Sequence, residues 1–237
     1  SEPSKTHLMG TDNLGRDILT RIIYGARISI IIGFGASLGA TLLSLIIGVI
    51  SGYVGGKTDL MIQRLVDMWM CFPGLILLLV LMSVFGIGIL QIIIVLSLRW
   101  GFSGSRIIRG AVISLKENFY IKASVSVGCS TSRIILKHII PNLMAPTIIL
   151  FTTRVPDIIM TEAALSFLGF GIPPPDPTWG GMLSGSARQY MVRAPWMVIW
   201  PGLALAVVVY CINMFGDALR DILDPKLKGV AGKFDTK

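Results

Sequence analysis

The chain has 237 residues, 53% of them hydrophobic and only 14% charged, with a mean hydropathy of +0.75. A soluble domain carries about 25% charged residues, and apolar runs of about 18 residues or more are cheap to expose only in a bilayer. The class is an all-α, polytopic helical membrane protein; short period-2 segments, which would signal a β-barrel, are missing.

The net charge of +8 does not mark a nucleic-acid binder, because the basic residues flank apolar spans, where they set topology. Cys71, Cys129 and Cys211 are scattered and odd in number, and His7 and His138 lie far apart. No metal-ligand spacing results. No secretory signal is recognisable, and the chain begins at Ser1 without methionine, so a truncated N-terminus is expected.

Residues 1–25 are polar, with turn chemistry at Asp12-Asn13 and Leu14-Gly15, and Asp17 or Thr11 is placed to cap a short helix. The first span is expected over 28–50. Its Gly33, Gly35, Gly39 and Gly48 form the small-residue surface by which membrane helices approach one another. Residues 51–59 (SGYVGGKTD) read as a Gly-rich loop. They nearly spell a phosphate-binding loop, but Ser51 stands where the first required glycine belongs and no strand precedes it. A tight turn with a topogenic lysine is the better reading.

A second span is expected over 68–85, kinked at Pro73-Gly74, after an amphipathic lead-in with Arg64 and Asp67. The methionines here fit packing better than soft-metal ligation. A third span starts at Ile89 after a very short turn and runs past Arg99 to Ile113. Residues 114–141 are a polar, basic interruption containing Lys116, Lys122, Arg133 and Lys137, which the positive-inside rule puts in the cytoplasm.

The fourth span covers 142–168. Within it Arg154, Asp157 and Glu162 are costly unless paired or facing a wet cavity, and Arg154 and Asp157 stand at i,i+3, where each can neutralise the other. A Pro/Gly-rich outer loop fills 169–195. The final span is 196–215, with Trp196 and Trp200 as interface anchors, before a charged cytoplasmic tail, 216–237. With 53–66, 99–138 and 216–237 inside, fourteen Lys/Arg fall inside and six outside. That bias puts the N-terminus out and the C-terminus in, and one further span before Ser1 would return the chain's true start to the cytoplasm.

Lys122-Ala123-Ser124, then Gly128, then His138-Ile139-Ile140-Pro141 resemble the cytoplasmic signature of the membrane subunits of binding-protein-dependent ABC importers. That signature reads E-A-A, three residues, G, nine residues, I-x-L-P; here lysine replaces the glutamate and serine the third alanine. Three further stretches resemble the C-type permease of the peptide/nickel branch: GTDNLGRD (10–17) with YGAR (24–27), EAALSFLG (162–169), and GDALRD (216–221) with Leu223-Asp224-Pro225.

The resemblance implies one type I importer transmembrane domain over 1–237, with about five spans present. It implies a heterodimer with a second permease subunit, two ATPase subunits and an extracytoplasmic solute-binding protein. ATP and Mg would be on the ATPases, and no cofactor on this chain. The setting would be a bacterial or archaeal cytoplasmic membrane. Lys122, Ala123, Ser124, Gly128, Arg133, His138 and Pro141 would couple to the ATPase, as a surface helix ending at Gly128 followed by a second capped at Ser130 or Thr131. Charge reversal at Lys122 would need a changed partner surface.

Arg154, Asp157 and Glu162 would line the pathway or the subunit interface. Asp12, Arg16, Asp17, Trp179 and Arg188 would meet the binding protein. The cargo would be di- or oligopeptides, with nickel or a metallophore complex as the alternative. Readings from other classes are an intramembrane enzyme, for which Asp67 with Asp157 is the only aspartate pair on offer, and a passive channel, which would have no use for 117–141.

Overall fold

The computed structural model describes residues 1–223. Asp17 is extended, and its carboxylate accepts the N–H of Thr20 at 2.8 Å. This cap starts α1, Ile18–Val54, 37 residues long and about 55 Å from end to end. The short helix expected before the first span is part of α1, and so are the first four residues of the loop expected at 51–59, while 56–59 open the next helix. The chain turns only at Gly55 and Gly56, whose φ of 70° and 56° favour glycine.

α1 is built inside out. Its buried face carries Ser29, Gly33, Ala36, Ser37, Ser44 and Gly48, while Phe34, Leu38, Leu42 and Ile46 point outward. Lipid offers no hydrophobic drive toward helix pairing, so close backbone approach and interhelical hydrogen bonds must supply it. The Ser44 hydroxyl donates to the carbonyl of Gly101 at 2.8 Å and that of Ser37 to Phe151 at 2.7 Å. A Cβ on Gly48 would lie 2.8 Å from the Ser105 carbonyl oxygen. The packing role expected of these small residues holds.

α2 is Gly56–Cys71 and α3 is Gly74–Phe85, meeting at 94°. The single kinked span expected over 68–85 is therefore two helices. Pro73 forces Phe72 out of the helical region (φ −78°, ψ 135°), and α2 is then tied sideways to α4 (Ile89–Lys116). Asp59 accepts both prongs of Arg109 at 2.6 and 2.5 Å, and Asp67 pairs with Arg106. α4 continues through Arg99 as expected.

The polar interruption comprises α5 (Phe119–Ser126), α6 (Thr131–Ile134), a π-helical turn (Ile135–Ile139) and α7 (Ile140–Asn142). After a 56° bend, α8 runs Met144–Phe167. Short α9 (Trp179–Leu183) and α10 (Ser186–Tyr190) interrupt the loop before α11, Trp196–Leu223. The last helix runs beyond the expected end at 215; the Asp224-Pro225 stop and the remaining tail lie outside the described residues.

α1 and α11 are each long and apolar enough to cross a membrane, and the two bent pairs qualify as broken spans. α4 has the length, 28 residues, but also carries Arg99, Arg106, Arg109 and Lys116. No named strand occurs among the described residues. The bundle's two ends differ: Trp196 Nε1 donates to Thr11 and Trp179 Nε1 to Ile22 at one, while Ile121, Ile134, Ile139, Leu143 and Val49 form the core of the other.

Candidate coupling element and intramembrane charges

At the second end, α5 closes through a two-bond turn. The N–H of Gly128 donates to Val125 at 2.9 Å and that of Cys129 to Ser124 at 3.0 Å, with Gly128 left-handed at φ 80°. This is the Schellman pattern, in which a left-handed residue lets two orphan carbonyls be satisfied. Gly128 thus ends the helix as expected. Ser130 takes the N-cap conformation of α6 but makes no side-chain cap bond, so the expected capping hydroxyl is only a backbone position.

α5 is anchored on one side. Ile121 is 1% exposed in the core, while Phe119 and Val127 are 91% and 83% exposed and Ala123 stands outward with them. Lys122 Nζ donates to Glu117 Oε2 at 2.7 Å, and that ammonium holds the Glu117 carboxyl below its ordinary range. The lysine at the signature's glutamate position therefore has an acid of its own chain beside it. Ser124 bonds back to the Tyr120 carbonyl at 2.8 Å.

In the next segment Pro141 lies inside a helical run, separated from the π turn by Ile140 alone. Its ring has no N–H and would crowd the carbonyl four residues back, and widening the ladder by one residue relieves both. Asn142 Nδ2 takes the His138 carbonyl at 2.6 Å. The His138 ring lies 6.4 Å from that of Tyr120, bringing the π turn against α5. Arg133 is exposed.

At the opposite end, residues 10–17 fold around Asp12, whose carboxylate accepts the N–H groups of Leu14 and Arg16 and the guanidinium of Arg16 at 2.7 Å. Burial raises the Asp12 carboxyl, but the Arg16 and Leu14 bonds outweigh it and hold it below the usual range. The N–H and hydroxyl of Thr20, then the His7 ring, lower Asp17 likewise. Arg188 is exposed beside the Phe167 ring. Trp179 is not available to any partner: it is 2% exposed, packed among Val155, Ile159, Ala163 and Leu205. A tryptophan in a Pro/Gly-rich loop looks like a surface residue until the loop folds back.

The three intramembrane charges separate. Glu162 is 1% exposed; one carboxylate oxygen accepts Ser166 at 2.7 Å and the other has no partner among the described residues. It is a core group, not a lining one. Arg154 lies 4.0 Å from Asp157, and its guanidinium also sits over the Trp100 ring, 4.4 Å from the centroid. Arg99 approaches the same indole at 5.4 Å. Sequence reading passed over Arg99 and Trp100, and over the Asp59–Arg109 fork; a lone arginine inside an apolar run was the available signal. Asp67 is engaged by Arg106 and Arg64, and Asp157 by Arg154, so the two aspartates do not form a catalytic dyad.

A broken-helix membrane domain with a helical element projecting from one end is the architecture of a type I ABC importer transmembrane domain. An inward-facing structure of the MetNI methionine ABC transporter superposes with a TM-score of 0.72 at 17% identity, covering 87% of this chain and 98% of that one. The family model described as "Binding-protein-dependent transport system inner membrane component" matches residues 44–229. The chain belongs to that family.

It is 42% identical over 226 residues to a dipeptide transport system permease protein of Alkalihalophilus pseudofirmus, covering 95% of this chain and 74% of that protein. The figures are the same for an oligopeptide transport system permease protein of Bacillus subtilis. A glutathione transport system permease protein of Pectobacterium atrosepticum is 38% identical, over 95% of this chain and 75% of that one. The chain is an integral membrane transport permease and not an enzyme.

Proposed function

We propose that this chain is one of two membrane permease subunits of an ATP-driven, binding-protein-dependent importer of di- and oligopeptides. The observation that carries the coupling mechanism is α5: a short helix with its underside anchored by Ile121, its end fixed at Gly128, and Phe119 and Val127 bare. Bare apolar side chains on a rigid, anchored element suit a groove on another protein. The relatives' peptide and glutathione permeases support the cargo class.

In this reading the α5 end faces the cytoplasm, where the positive-inside bias puts it. One of two ATPase subunits grips α5 and the segment through Pro141, and the pair of ATPases holds the ATP and Mg. Their closure tilts α4 and α8, which flank the segment. The end carrying 10–17 and Arg188 faces the solute-binding protein. Single cysteines at Ala123 and Val127, in a background lacking Cys71, Cys129 and Cys211, should crosslink to the ATPase subunit in membranes. Failure to crosslink anywhere along 119–138 contradicts the coupling role.

A further inference from the structure

Arg99 lies about 15 Å along α4 from its Ile89 end and about 26 Å from Lys116. Arg154 is similarly central in α8, with ten residues before it and thirteen after it. A charge at such depth is expensive unless it is paired or wet. Among the described residues, no ion pair or hydrogen bond is made by the Arg99 guanidinium. It rests over Gly74, where a Cβ would lie 2.8 Å from its Nη2, and beside the Trp100 indole.

Arg154 stacks on the same indole, and the one acid near it, Asp157, is 4.0 Å away with a half-exposed side chain. Two cations thus share one aromatic ring, with one carboxylate, that of Asp157, on the Arg154 side. Beside Arg99, between α3, α4 and α8, is a cavity of about 280 Å³ lined by Gly74, Leu75, Arg99, Trp100, Met160 and Thr161; Arg154 reaches it only through the shared Trp100 indole. The first turn of α3, which no side chain caps, is part of the same wall. Broken membrane helices that turn such an end toward a cavity favour anionic groups there.

We propose that Arg99, with Arg154 adding its charge from the same Trp100 indole, forms a mid-membrane station for a carboxylate, the C-terminal group of the peptide in transit. This rests on the permease reading above. Guanidinium groups match a carboxylate in shape and charge, and the cavity approaches the volume of small-ligand sites, which start near about 300 Å³. A lone acidic side chain from the second permease subunit would leave most of it empty.

The test uses the complete importer in proteoliposomes, with its binding protein. Two versions of one dipeptide are supplied, free acid and C-terminal amide, chosen so that the binding protein captures both. Uptake of the free acid should fall about tenfold in Arg99→Gln, the loss of one charge-assisted contact, and less in Arg154→Gln and in Arg99→Lys. Uptake of the amide should be the same in all variants.

Equal losses for both peptides, or no loss for either, overturn the station. So does failure of the variants to copurify with the second permease subunit, which would give the arginines to an interface acid instead. If the wild-type complex takes up no peptide, the permease-for-peptides reading itself fails, and this proposal with it.

Discussion

Gly128 shows how one backbone angle shapes the surface offered to a partner. At φ 80° any side chain meets its own carbonyl, at about 1–2 kcal/mol, so Gly128→Ala should loosen the turn by about 1 kcal/mol. Cys129, half-buried beneath it against the core, reports on this. With exposed Cys71 and Cys211 replaced by serine, maleimide labelling of Cys129 should speed up about fivefold in Gly128→Ala and less in Gly128→Asn, because asparagine tolerates the left-handed region. Unchanged labelling would mean that the turn does not hold the segment. This glycine was legible in the sequence because its conformation depends only on local spacing. Trp179 was not: its burial depends on a hydrogen bond to Ile22, 157 residues away.

Among the elements, α1 shows what a membrane helix needs in order to pack. Apart from Ile18, Ile32 and Val49, its most buried residues are small, and many of its large apolar ones face outward, the reverse of a soluble helix. Gly48→Leu would drive a branched side chain into Ile108 and the Ser105 carbonyl, an overpacking cost of about 2 kcal/mol or more. Leu42→Ala, on the outward face, should cost little. Thermal size-exclusion chromatography in mild detergent should show an earlier loss of the monodisperse peak for Gly48→Leu alone; equal behaviour of the two would remove the α1–α4 seam as the organising contact. The small-residue face was readable from composition. The 94° break between α2 and α3 was not, because Pro73 announces a kink of unspecified size. The angle is set by the Arg109 and Arg106 ties to α2, which join residues 50 and 39 positions apart.

For the molecule as a whole, two polar ends and a charged middle have different tasks. One end is closed by tryptophans docked to the chain's first turns, and the other carries α5. Between them Arg99, Arg154 and Trp100 form a cationic cluster on one aromatic ring. The class of the protein was legible from hydropathy, and the polar segment with its Gly128 turn from charge and from the Gly128-to-Pro141 spacing. The middle was only half legible: Arg154 and Asp157 were flagged from their depth, but their joint use of Trp100 with Arg99 depends on how α4 and α8 come together.

The central claim is that ATP hydrolysis on separate subunits drives peptide import through this chain. Its most direct test is the ATPase activity of the full complex in lipid, with and without the solute-binding protein, supplied with di- to pentapeptides or with nickel chelates. The account predicts stimulation only when the binding protein is loaded with peptide. Stimulation by nickel species alone would keep the fold and replace the cargo, and activity indifferent to the loaded binding protein would contradict the importer reading itself.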